Sequence, residues 1–136
     1  MIASQQASRL GVRLDSIIHA NALDLSSHPT LTHASSSFDI SLCLGPLYHT
    51  LSHLNRTRII ETCISLTKPD GYILLAYVSI YAHLRDMAKR DAARLCNEWN
   101  FYSDYLKDGK YTRNQNRESY HIYPEKLDEE LKDLKG

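Results

Sequence analysis

"FDISLCLGPLYHT", residues 38–50, opens on alternating apolar residues and runs into Gly45-Pro46 and then Tyr48-His49. A parallel strand covered on both faces reads as a nearly continuous apolar run, and the carboxyl ends of such strands are where open α/β sheets hold ligands. The stretch therefore predicts a buried strand that ends in a rim. Just beyond it, Asn55 is placed to cap a helix to which Ile59, Ile60, Cys63, Ile64 and Leu66 give a broad apolar face. "KPDG", residues 68–71, closes that helix, and "GYILLAYVSIY", residues 71–81, is the strongest strand pattern in the chain, apolar and continuous from Tyr72 to Val78.

Upstream, "DSIIHANALDL", residues 15–25, holds a short apolar strand around Ile17 and Ile18 that ends near Asn21, and residues 26–37 form a polar loop. Ile2, Ala3, Gln6, Ala7 and Leu10 recur at helical spacing ahead of a capping Gly11, with no amino-terminal cap before them, so the chain is expected to begin inside a helix. Downstream, Leu84, Ala88, Ala92, Leu95 and Trp99 mark one amphipathic helix. Residues 100–123, "NFYSDYLKDGKYTRNQNRESYHIY", are aromatic and polar without a clear period, which reads as a mobile segment over a site or a solvated insertion. Pro124 suits a first helical position, and Leu127, Leu131 and Leu134 give a short helix that Gly136 closes.

With 136 residues the chain has the length of one domain, able to bury about two-thirds of its unfolded surface. Sixteen basic and sixteen acidic residues cancel, which removes any bulk electrostatic case for nucleic acid or an anionic membrane. Cys43, Cys63 and Cys96 are odd in number and lack CxxC spacing, which argues against a disulfide framework and a thiolate zinc site. No leader pattern and no apolar window of membrane-spanning length is present, so the cytoplasm is the expected location.

Residues 39–79, "DISLCLGPLYHTLSHLNRTRIIETCISLTKPDGYILLAYVS", resemble the second half of a class I S-adenosylmethionine-dependent methyltransferase. In that family a strand ending in an "LGPLYHL"-like turn, a helix, a "KPGG"-like turn and another strand follow in this order. "HANALDLS", residues 19–26, resembles the family's "ADALDLP" segment, and residues 119–136, "SYHIYPEKLDEELKDLKG", resemble its approach to the sixth strand. The resemblance implies an α/β fold: a partial Rossmann-like sheet, mostly parallel, with about three core strands flanked by helices. It also implies that residues 1–136 form a single incomplete methyltransferase-like domain, cut at both ends. The family's glycine-rich loop and the acidic end of its second strand have no counterpart, and none of the five glycines form such a cluster.

By the same resemblance, Asn21, Ala22 and Leu23 lie where adenine is recognised, by a side-chain carbonyl or carboxylate and a backbone N–H. The plain alternative for Asn21 is an Asx turn at a strand end. Leu44 and Gly45 fall where a backbone carbonyl meets the donor's ammonium group, the glycine permitting close approach, and Leu47 and Tyr48 fall on the donor or acceptor pocket. Tyr81 belongs to a tyrosine-rich half that either walls a substrate or packs a core. His49 is a candidate general base for an acceptor hydroxyl or amine. His49 and His53 stand four apart, but no Glu follows His49 and no third ligand is evident, so no metal is expected.

These readings leave two functions open. One is a methyltransferase that moves the methyl group of S-adenosylmethionine to an O or N atom of a small-molecule acceptor. The other is a non-catalytic remnant or a subunit whose site a partner completes. Strands deprived of neighbours would expose unpaired edges, a template for self-association.

Overall fold

The computed structural model describes residues 2–113 and 118–134. Helix α1 (Ile2–Arg9) follows the predicted spacing, and Gly11 after it takes a left-handed φ of 64°, but the helix buries no residue. The residues around Ile17 and Ile18 form no strand, which corrects the expectation of a third core strand. Two apolar residues between Asp15 and His19 bury too little surface to offset the ordering of an edge strand. The chain becomes regular again at a 3-10 turn, Ala22–Ser27.

Strand β1 (Phe38–Cys43), helix α2 (His53–Leu66) and strand β2 (Thr67–Leu75) follow one another, and the two strands are parallel neighbours, with Ile40 opposite Tyr72 and Cys43 opposite Leu75. Ser52, not Asn55, caps α2: its Oγ accepts from the Asn55 N–H at 3.4 Å, the capping bond to the third helical position. Ile59 and Ile60 of α2 pack on Cys43 and Leu47, with Leu75 against the same core. "KPDG" does not separate helix from strand as predicted. It forms a bulge inside β2, since the pairing passes from Phe38–Thr67 to Ile40–Tyr72 with only Asp39 opposite residues 68–71. A Cβ on Gly71 would stand 2.5 Å from Thr67 Cγ2 and 2.7 Å from the Asp39 carbonyl oxygen, so the bulge requires glycine. Lys68 Nζ spans it by donating to Asp39 Oδ1 at 2.6 Å.

The second half contains β3 (Val78–Ser79), α3 (Ile80–Arg90), α4 (Ala92–Asn97), α5 (Trp99–Asp108), β4 (Lys110–Thr112), β5 (Glu118–Ile122) and α6 (Leu127–Leu131). β5 lies between β3, to which it is parallel, and β4, to which it is antiparallel. The single helix predicted from Leu84 to Trp99 is broken at Asp91, whose carboxylate caps α4 through the Arg94 N–H at 3.2 Å. Trp99 is thereby left exposed at the head of α5. Residues 100–113 and 118–123 are likewise no mobile insertion. They build α5, β4 and β5, and Tyr102 and Tyr105 join Ile80 and Met87 in a second buried core. Leu131 and Leu134 at and beyond α6 return to the first core, and the predicted cap Gly136 lies outside the described residues.

The described residues therefore form a mixed α/β fold with two small sheets, in which the β1–β2 and β3–β5 pairs are parallel and β4–β5 is antiparallel. Among the described residues no helix is long and apolar enough to cross a membrane.

Candidate functional site

The rim predicted after β1 forms a short 3-10 turn, Pro46–His49, in which Pro46 supplies the first residue. Leu47 is fully buried among Cys43, Ile59 and Ile60, and this anchor presents the next two side chains outward. Tyr48 is half-buried, His49 is exposed, and their rings lie 4.7 Å apart. Thr50 Oγ1 closes the turn by donating to the Pro46 carbonyl at 2.7 Å. Leu44 is exposed, and a Cβ placed on Gly45 would meet only the Tyr48 hydroxyl, at 3.9 Å, so the backbone there is open to close approach.

Ala22 and Leu23 pack on the same core as Leu47, so the structure brings the two ends of the predicted donor site onto one body. Asn21 Oδ1 accepts from the Leu23 N–H at 3.0 Å and caps the turn that begins at Ala22. The two groups that the resemblance directs at adenine are thus bonded to each other, as in the Asx turn weighed above. Tyr81 is held elsewhere: its hydroxyl donates to Glu125 at 2.5 Å and its ring meets Tyr123 edge-on. His49 and His53 do not share a helical face, since residues 50–52 leave helical conformation between them and His53 Nδ1 lies 3.2 Å from Glu130. No group of three or more metal-ligating side chains gathers among the described residues.

Behind the rim stands a device not anticipated from the sequence. Arg56 is 3% exposed, and its Nη1 donates to the carbonyls of Thr50 at 3.0 Å and Leu51 at 2.9 Å. Its Nε and Nη2 donate to Glu130 of α6 at 2.5 and 3.1 Å, and its guanidinium carbon stands 3.6 Å from the centre of the Tyr120 ring. One cation thereby joins the rim loop, α2, β5 and α6. Its signal in the sequence is a basic residue at the position three and four residues before Ile59 and Ile60, on the apolar stripe itself.

Close to this clamp the Tyr77 hydroxyl is buried without a partner among the described residues, and burial with the nearby Glu130 charge raises its pKa. The neighbouring Cys43 thiol pulls Cys63 down to about 7, while Cys63 and burial push Cys43 up. A cleft of about 490 Å³ lies at the opposite end of the strands, lined by Asp39, Lys68, Asp70 and Tyr72, and follows from the bulge.

The second core holds a histidine pair. His121 Nδ1 is 2.7 Å from the Tyr105 hydroxyl, the His83 ring lies 4.6 Å from that of His121, and His83 Nε2 is buried without a partner among the described residues. Burial lowers both, His121 to about 4, so both are neutral at pH 7. Arg113 bonds to Glu98, Tyr111 and Tyr102 and covers Phe101, bracing α5 against β4. No protein-family model, curated protein or solved structure matches this chain.

Proposed function

We propose that this chain carries the β-strand, helix and rim portion of a class I S-adenosylmethionine-dependent methyltransferase and serves methyl transfer to an O or N atom of a small molecule in the cytoplasm. The observation that carries this reading is the parallel β1–β2 pair bridged by α2, with the open Gly45 turn at the carboxyl end of its first strand. When bound, the donor supplies an electrophilic methyl group. Leu44 and Gly45 offer backbone to its ammonium end. At the adenine end, Asn21 Oδ1 exchanges the Leu23 N–H for the exocyclic amine, which frees that N–H for a ring nitrogen. Leu47 anchors the rim from within and Tyr48 stands on it, while Tyr81, bound to Glu125, takes no part. Exposed His49 takes the proton that the acceptor loses as its O or N attacks.

Titration calorimetry with S-adenosylhomocysteine tests the reading. Weak, millimolar-range binding is expected, because the sequence has no glycine cluster of the kind that forms a backbone nest for the donor. Asn21→Ala should weaken it about fivefold, the scale of one net hydrogen bond of about 1 kcal/mol. No heat from a cooperatively folded chain at millimolar ligand overturns the assignment. The mutual bond of Asn21 and Leu23 favours a second reading, a non-catalytic subunit whose donor site a partner completes. Binding without methyl transfer to any small acceptor, restored only by a second protein, separates the two.

A further inference from the structure

Cys43 and Leu75 turn toward α2, so the alternation of side chains along β1 and β2 sends Ile40, Leu42, Leu44, Tyr72 and Leu74 to the opposite face, where they are 51–71% exposed. A parallel pair is stable when both of its faces are covered. The outer edges of both strands are also unpaired among the described residues. The same chain holds an element of the kind that covers such a face. Helix α1 buries no residue, and beyond it Leu10, Val12, Leu14 and Ile17 are exposed, so residues 2–18 form an arm that carries apolar side chains and buries none of them.

The area gives the scale of what is missing. The chain exposes 9719 Å², whereas a compact monomer of 15.6 kDa exposes about 7,200 Å². The excess of about 2,500 Å² is well above the roughly 800 Å² per partner of a standard stable interface and matches an obligate one.

We propose that a second copy of this chain covers the bare sheet, each copy laying its arm, residues 2–18, on the other's Ile40, Leu42, Leu44, Tyr72 and Leu74. The exchange is reciprocal, using the same arm and the same face twice, and therefore closes as a two-fold dimer without growing further. A formal net charge of zero imposes no long-range repulsion between copies. This inference is independent of the chemistry proposed for the rim.

Light scattering on a sizing column at tens of micromolar tests it, with twice 15.6 kDa as the expected mass. Leu42→Lys places a charge on a side chain already 59% exposed in the single chain, so circular dichroism should stay unchanged while the dimer dissociation constant rises about tenfold or more. Removal of residues 2–18, which contribute no buried side chain, should also give monomer. Mixing the two variants should then restore a one-armed heterodimer, since one supplies an arm and the other a face. A native chain that stays monomeric overturns the proposal, whether its arm folds back or another protein covers the face. So does a dimer that survives either change, or an open-ended aggregate.

Discussion

Arg56 occupies a place where the stripe of α2 asks for an apolar side chain, and its worth lies in what would be left if it were removed. Each of its three nitrogens donates: Nε and Nη2 to Glu130, and Nη1 to the carbonyls of Thr50 and Leu51. Replacing one member of a buried ion pair strands the other charge, at a cost of about 3–5 kcal/mol. Arg56→Met should therefore lower the stability measured by urea unfolding by about that amount. Adding Glu130→Met should recover much of the loss, because both charges then leave the core. A single variant as stable as the native chain contradicts the clamp. His49 is the opposite kind of residue, exposed and free of structural duty, so His49→Ala should leave the unfolding midpoint where it is.

At the scale of elements, the hairpin β4–β5 and helix α5 depend on neutral imidazoles. Gly109 ends α5 at φ 75°, and a Cβ there would fall 1.9 Å from the His121 carbonyl oxygen, so backbone and histidine are tightly joined. His121 is faced by Tyr105 from α5, Tyr111 from β4 and His83 from α3, with Asp86 and Arg113 the charged groups acting on His83. Its pKa is about 4 in the fold against 6.5 ordinarily, so the unfolded chain binds more protons between those values. The stability due to neutral His121 is therefore complete above pH 6.5 and is lost as pH falls toward 4, and His83 acts in the same direction. The thermal midpoint should fall between pH 6.5 and about 5, above the carboxylate range, and the slope should flatten in His121→Phe. A midpoint flat across that window in the native chain contradicts this.

The same elements show what the sequence discloses. The strand–helix–strand order of residues 38–75 is legible from its apolar runs, but the bulge is not, since it depends on how Gly71 meets Asp39 across the strands. Two expectations are corrected: β1 is not buried but exposes Phe38, Ile40 and Leu42, and the run expected from Tyr72 to Val78 breaks after Leu75 into strands of two different sheets. Residues 100–123 were not legible, because Phe101, Tyr102, Tyr105 and Leu106 do recur at helical spacing but tyrosine serves surface and core alike. The break at Asp91 was hidden by a continuous apolar period on either side. At the site, the Gly45-Pro46 turn was visible in the sequence, whereas the Arg56–Glu130 bond joins residues 74 apart, which no local pattern reveals.

At the scale of the whole molecule, two buried cores divide the chain. One, around Leu47 and Ile60, supports the rim, and the other, around Tyr102 and Tyr105, supports the hairpin. β5 and the Arg56 clamp join them, because Tyr120 of β5 lies under the guanidinium. The central proposal is that residues 21–23 and 44–49 act as one surface for the methyl donor. Amide shift mapping by NMR during titration with S-adenosylhomocysteine tests this most directly. The expected result is a set of shifts confined to those two stretches, with the bulge at residues 68–71 unmoved. Shifts centred on the bulge cleft, or none at millimolar ligand from a folded chain, would contradict it.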